Sequence, residues 1–187
     1  MVPTVEATDS LPDHGEAWRL SWTVEASDAS SCTMSCDGRV LPWRLERRLR
    51  LSEVVRAEYA LINRGNVTIP GYWCAHPLFR YENGMEVDVG VRVMAFAERK
   101  SGKFFLPRDA IDHARLRWRS GEGVEIAWDR KTAQHCGVWI CNGDLGGYRQ
   151  VAIEPATGGY DRPDSDEPPP PLPPGASLTW WMEIRPI

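Results

Sequence analysis

Near the end of the chain Leu178, Trp180, Met182 and Ile184 alternate with Thr179, Trp181, Glu183 and Arg185. A period of two sends successive side chains to opposite faces, so this pattern predicts a strand with one buried face. The alternation recurs. Trp18, Leu20, Trp22, Val24 and Ala26 would share one face of a first strand, and Trp43, Leu45, Leu49 and Leu51 one face of a longer one. Arg47 breaks that second face, either as a bulge or as a polar group aimed into a cleft; the bulge is the simpler expectation. Val55, Ala57, Tyr59 and Leu61 continue the pattern in a hairpin whose wet face Arg–Glu pairs would lace. No stretch sustains a 3.6-residue period over three turns, and no internal repeat is present. The class is therefore all-β, about ten short strands in an antiparallel β-sandwich or barrel.

Turn chemistry divides the strands. Asp37-Gly38 and Asn83-Gly84 predict tight turns, and Asn63-Arg64-Gly65-Asn66 and Asn142-Gly143-Asp144 predict others. Further strands are expected over Ser31–Cys36, Met85–Phe96, Val124–Trp128, Gly137–Cys141 and Arg149–Glu154, with Glu98–Gly102 a loop. Pro107-Arg108-Asp109-Ala110 fits a single helical turn. Residues 1–13 read as an irregular lead-in. Residues 162–175 hold Asp164, Asp166, Glu167 and a run of prolines, which predicts an acidic polyproline-like loop without a core of its own. The 187 residues suffice for one domain, 1–187.

The net charge of −4 implies no general attraction to nucleic acid, and the Arg44, Arg47, Arg48, Arg50 cluster reads as the solvated face of a strand. No apolar run is long enough to span a membrane. The acidic first residues lack the apolar core of a secretory signal, so a cytoplasmic location is expected. The five cysteines then read most simply as reduced thiols. Cys32, Cys36, Cys136 and Cys141 could in principle hold zinc, but neither pair has the two-residue gap of a zinc ribbon, and no metal is expected.

Two polar residues stand out in apolar runs that end in proline. His76 lies in Gly71-Tyr72-Trp73-Cys74-Ala75-His76-Pro77-Leu78-Phe79, and Glu154 in Val151-Ala152-Ile153-Glu154-Pro155. Because proline cannot donate to a ladder, His76 is expected at the last inward position of a strand, at the mouth of a sheet. Each has a plainer reading. His76 would serve as a core histidine satisfied by backbone, and Glu154 as an edge carboxylate paired with Arg149 or Arg185. A buried glutamate is nevertheless rare unless paired or functional. Nine tryptophans are many for this length. Trp73 and Trp139 suit either the core or a platform for a sugar ring. Arg80, Arg108 and Arg149 are candidates for a phosphate, and Asp88, Asp109 and Asp129 for further polar contacts. His113 reads as exposed, and His135 is open between packing and a metal-adjacent place.

In order along the chain, His14-Gly15, Ala75-His76-Pro77, Ile153-Glu154-Pro155 and a proline-glycine before the last strand resemble the aldose 1-epimerase, or galactose mutarotase-like, superfamily. The resemblance covers the C-terminal two-thirds of that domain, so it implies a mutarotase-like β-sandwich, N-terminally shortened. It also implies interconversion of the α and β anomers of a free hexose or hexose phosphate. His76 and Glu154 would be the catalytic acid and base, while His14, Trp73, Trp139 and Arg149 would bind the sugar. No cofactor is needed for such proton transfers. The alternative is a carbohydrate-binding domain of the same fold without turnover. With the family's N-terminal part absent, a sheet edge would be open, and a second copy or a partner chain is the candidate to cover it.

Overall fold

The computed structural model describes residues 1–91, 93 and 97–187. They form fourteen strands and, among the described residues, no helix. In chain order these are β1 (Thr23–Ser27), β2 (Ser31–Asp37), β3 (Trp43–Leu51), β4 (Val55–Asn63), β5 (Ile69–Pro70), β6 (Leu78–Arg80) and β7 (Glu86–Asp88). Next come β8 (Ser101–Phe105), β9 (His113–Arg117), β10 (Gly123–Trp128), β11 (His135–Asn142), β12 (Arg149–Ala156), β13 (Pro171–Leu172) and β14 (Ser177–Pro186). An eight-stranded sheet has the order β1-β2-β3-β4-β14-β10-β9-β7, and a four-stranded sheet the order β6-β12-β11-β8. All pairs are antiparallel.

The two sheets share one core. The large sheet contributes Trp43, Leu45, Leu61, Trp180, Ile126, Trp128 and Leu116; the small sheet contributes Val138, Ile140, Val151 and Ile153. Burying each such side chain is worth about 1.5–3 kcal/mol. The solvent-facing row is laced as the alternation predicts: Arg56 meets Glu183 at 2.7 Å on the adjacent strand, and Arg50 meets Glu58 at 3.4 Å.

Several local expectations change. Trp18 and Leu20 lie in a turn rather than a strand, and the edge strand β1 begins only at Thr23 with both faces wet. The alternation at 18–22 instead reflects a loop that tucks Leu20 and Trp22 against the core while Trp18 stays exposed. The lead-in is irregular but buried: Val2, Thr4, Val5 and Leu11 all lie within the fold. Asp37-Gly38 makes no two-residue turn, because residues 38–42 join β2 to β3. Gly38 is required for close approach instead, since a Cβ there would lie 2.3 Å from the Leu41 carbonyl oxygen and 2.5 Å from the Trp43 ring.

Of the strand expected over Met85–Phe96, Glu86–Asp88 is the part that forms strand among the described residues. Gly90, at φ 76°, breaks the extended path, and residues 92 and 94–96 lie outside the described residues. Residues 101–105, expected partly as loop, form β8. Within the proline-rich segment Pro171–Leu172 pairs with β5, and Leu172 joins the core. The segment from Gly71 to Pro77 is not a strand either. Only Cys74 makes an isolated bridge, to Ala156, and β6 begins after Pro77. Its backbone is satisfied from the side: Trp73 N–H donates to the Thr157 hydroxyl at 2.8 Å, and Ala75 N–H to the Pro155 carbonyl at 3.0 Å.

Candidate active site

Residues paired across antiparallel strands project to the same face. On β11 Gly137 pairs with Glu154 of β12 and Phe105 of β8, and Trp139 pairs with Ala152 and Lys103. The pairing therefore brings Glu154, Trp139 and Lys103 onto the face of the small sheet turned away from the shared core. Because Gly137 has no side chain, Lys103 can cross in front of it; a Cβ there would lie 2.8 Å from Lys103 Cε. Lys103 Nζ reaches Glu154 Oε2 at 2.5 Å and both carboxylate oxygens of Asp161 at 2.5 and 2.6 Å.

The other carboxylate oxygen of Glu154, Oε1, lies 3.4 Å from His76 Nε2. The His76 ring packs against Trp139, 5.6 Å away by centroids, and against His14, at 5.9 Å. Glu154 is 1% exposed. Burial raises its carboxyl above the usual value, against the pull of Lys103. Burial, then the Lys103 ammonium and His14, push the His76 imidazole down to about 4. The unloaded pair therefore holds a neutral imidazole at neutral pH.

The remaining predicted residues divide cleanly. His14 sits in a turn at φ 62°, bonded to Asp13 at 2.6 Å, and the buried lead-in holds it beside His76. Trp73 is buried against Tyr59 and Trp180 at 5.2 and 5.0 Å, and it also walls a cavity next to His76. Arg149 is not brought to this group. It lies five residues before Glu154, hence on the opposite face of β12, and it pairs with Glu98 at 3.3 Å. Glu154 accordingly takes Lys103 and His76 as partners rather than Arg149 or Arg185.

Arg80 pairs with Glu82 and Arg108 with Gln134, while Asp88, Asp109 and Asp129 hold local turns or ion pairs. His113 is exposed beside Asp112, and His135 is buried against Glu167 at 3.0 Å. The cysteine pairs lie on different sheets, Cys32 and Cys36 on β2 and Cys136 and Cys141 on β11. No group of three or more metal-ligating side chains occurs among the described residues. No helix of the described residues is long and apolar enough to cross a membrane.

Two cavities open at His76. One, about 400 Å³, is walled by Trp18, Trp22, Arg47, Tyr59, Trp73 and His76. The other, about 430 Å³, is walled by Asp13, His14, Trp18, Arg19, His76 and Leu78. Glu154 and Trp139 line neither, whereas His76 lines both. Arg47 is the polar group aimed into a cleft: β3 pairs without a bulge, its guanidinium lies 4.5 Å over the Trp22 ring, and its Nε is buried without a partner. Lys103, Asp161 and Arg47 were missed as site residues. Arg47 carried a signal, as the one charge on an apolar face; Lys103 and Asp161 carried none without the strand pairing.

No protein-family model and no curated protein sequence matches the chain. Solved structures do. Slr1438 from Synechocystis sp. PCC 6803 is similar with a TM-score of 0.77 and 16% identity, over 94% of this chain and 69% of that one. A galactose mutarotase-like protein from Lactobacillus casei ATCC 334 matches with a TM-score of 0.75 and 14% identity, over 95% and 76%. A galactose mutarotase related enzyme from Lactobacillus acidophilus matches with a TM-score of 0.71 and 17% identity, over 95% and 74%. At such identities the likeness concerns the fold, which is the all-β galactose mutarotase-like one.

Proposed function

We propose that the chain is a mutarotase-like isomerase that interconverts the anomers of a hexose or hexose phosphate by proton transfer between His76 and Glu154. The observation that carries this reading is the contact of His76 Nε2 with the buried Glu154 Oε1 at 3.4 Å, beside cavities walled by tryptophans. Opening a pyranose requires the anomeric hydroxyl to lose a proton and the ring oxygen to gain one. These oxygens are bonded to the same carbon, so an acid and a base a few ångströms apart can serve both at once.

The proton count closes when the pair holds one proton. Imidazolium His76 gives its proton to the ring oxygen while carboxylate Glu154 takes one from the anomeric hydroxyl. The C1–O5 bond breaks, and an aldehyde forms with a neutral imidazole and a protonated carboxyl. Rotation about C1–C2 and reversal of the transfers close the ring as the other anomer and restore the pair. His14 and Trp139, both packed against the His76 ring, would hold hydroxyls and the apolar sugar face. General acid–base groups of this kind contribute roughly 10²–10⁴-fold each.

A second reading, sugar binding without turnover, has an observation of its own. Glu154 is held by Lys103 and lines neither cavity. Polarimetry of fresh α-D-glucose, α-D-galactose and the 6-phosphate of glucose, with wild type and Glu154→Gln, separates the two. Acceleration abolished in the variant supports the isomerase. Saturable sugar binding without acceleration supports the binding domain.

A further inference from the structure

Lys103 is the feature of this site that acid–base exchange between His76 and Glu154 does not itself require. An ammonium has three donors. Here they meet three carboxylate oxygens, Glu154 Oε2 and Asp161 Oδ1 and Oδ2. Asp161 is itself fixed. Tyr160 and Asp161 both have positive φ, 56° and 63°, a pairing of non-glycine residues that costs energy and persists only where surroundings enforce it. The enforcing contacts come from the lead-in: Val5 N–H and Glu6 N–H donate to the Asp161 carbonyl at 3.0 and 3.1 Å, and the Thr4 hydroxyl donates at 3.2 Å. Gly137 leaves the gap through which Lys103 passes. Four separate parts of the chain thus converge on the placement of one carboxylate oxygen.

We propose that Lys103, clamped by Asp161, is a positioning residue that fixes Glu154 Oε2 and leaves Oε1 as the oxygen that faces His76. The proposal deepens the isomerase reading and rests on it for its catalytic meaning. Its electrostatic meaning stands alone, because a fixed ammonium beside the pair must oppose a second positive charge on His76. The charged and titratable groups facing the pair are Lys103 from β8, Asp161 after β12, His14 and the Met1 ammonium from the lead-in, Cys74, whose thiol lies 3.9 Å from Glu154 Oε2, Cys136 of β11 and Tyr72. Cys74 is fully buried and stays a thiol, since burial raises it well above its usual value. Among these, Lys103 follows burial as the influence holding His76 neutral. The clamp therefore fixes the geometry of Glu154 and disfavours the proton on its partner.

The test is an NMR titration of the His76 ring in the full chain, with His76→Gln to assign the signal, comparing wild type and Lys103→Met. Removing the ammonium should raise the His76 midpoint by about half a pH unit or more. An unchanged midpoint in a folded variant overturns the proposal. Lys103→Met leaves Glu154 buried without its cation, so folding is guarded by Lys103→Met/Glu154→Gln, which removes the charge along with its partner. If the double variant folds, its His76 midpoint should lie above that of Glu154→Gln, which lacks the same carboxylate; a midpoint equal to or below that reference also overturns the proposal.

In turnover, Lys103→Met should shift the pH profile of kcat/KM in the same alkaline direction as the His76 midpoint and lower its height. A profile lowered without any shift would mark Lys103 as structural only. If wild type shows no anomer interconversion, the isomerase reading fails, while the NMR shift still decides the clamp.

Discussion

Gly137 and Glu154 sit directly opposite each other on β11 and β12, and the missing side chain of the first is the space through which Lys103 reaches the second. The chemistry of the site thus depends on a residue with no functional group. Gly137 has no left-handed backbone angle to explain it; close approach alone demands glycine. Gly137→Ala should therefore fold, with a loss of stability of about 1–3 kcal/mol from the crowded cation. It should also release Glu154 from Lys103. Thermal melts and polarimetry check the two effects, and a variant with wild-type turnover would show that Lys103 need not reach Glu154 at all.

Glu154→Gln tests the base directly. The amide keeps the size of the carboxylate, and Lys103 retains its two bonds to Asp161. The fold should survive while anomer interconversion falls by roughly 10²–10⁴-fold. A folded variant with unchanged rates would remove Glu154 from the mechanism.

Gly38 offers a test of the fold independent of the site. A Cβ at this position would meet the backbone oxygen of Leu41 at 2.3 Å and the buried Trp43 ring at 2.5 Å, neither of which can swing aside. Gly38→Ala should lower stability by about 1–3 kcal/mol, read from denaturant melts, without touching the His76–Glu154 pair. A neutral outcome would mean that residues 38–42 can relax around the added methyl.

The large sheet was legible because one of its faces is wet and the other buried, so that the alternation at Trp180, Met182 and Ile184 reports the fold directly. Where both sides of a segment are covered, or neither is, the same code fails. Trp18 mimics the alternation from an exposed turn, and the segment from Gly71 to Pro77 is apolar without being a strand, bonded from the side by Thr157 and Pro155. His76 and Glu154 were visible because each is a polar residue in an apolar run. Lys103 and Asp161 look like ordinary surface charges in sequence, and only the pairing of β8 with β11 and the left-handed turn at Tyr160–Asp161 bring them to Glu154. Arg149 looked equivalent to them, yet the parity of β12 sends it to the other face.

Arg47 was visible but read the wrong way. Its Nε is buried without a partner in a cavity wall, a state that costs about 1–3 kcal/mol. Arg47→Leu removes that cost together with the Nη2 bond to Met34 Sδ at 2.9 Å and the bond to the Tyr59 hydroxyl, and it keeps most of the packing on Trp22, so stability should stay within about 1 kcal/mol of wild type. Sugar affinity, measured by calorimetry, should fall if the cavity is where the ligand sits. A large loss of stability would instead make Arg47 a structural member of the core.

The pH dependence of rate and of stability should run in opposite directions. Turnover requires one proton in the His76–Glu154 pair. The active form carries that proton on His76, whose imidazole is pushed down to about 4, so it gains population as pH falls below neutrality. Hence kcat/KM should rise as pH falls from 8 toward 5, by close to about tenfold per unit while the singly protonated form is scarce. Stability follows the other sign for His76. The unfolded imidazole takes a proton near 6.5 and the folded one only near 4, so the contribution of neutral, buried His76 is present above 6.5 and is lost as pH falls through that window. From the shift the loss is at most roughly 3 kcal/mol. Glu154 acts against it, since a raised carboxyl binds its proton in the folded state first and relieves a buried charge as pH falls. Chemical denaturation of wild type and His76→Gln at pH 7 and pH 5 measures the balance. Wild type should lose more stability than the variant over that interval, and an equal loss would place the acid sensitivity elsewhere in the fold.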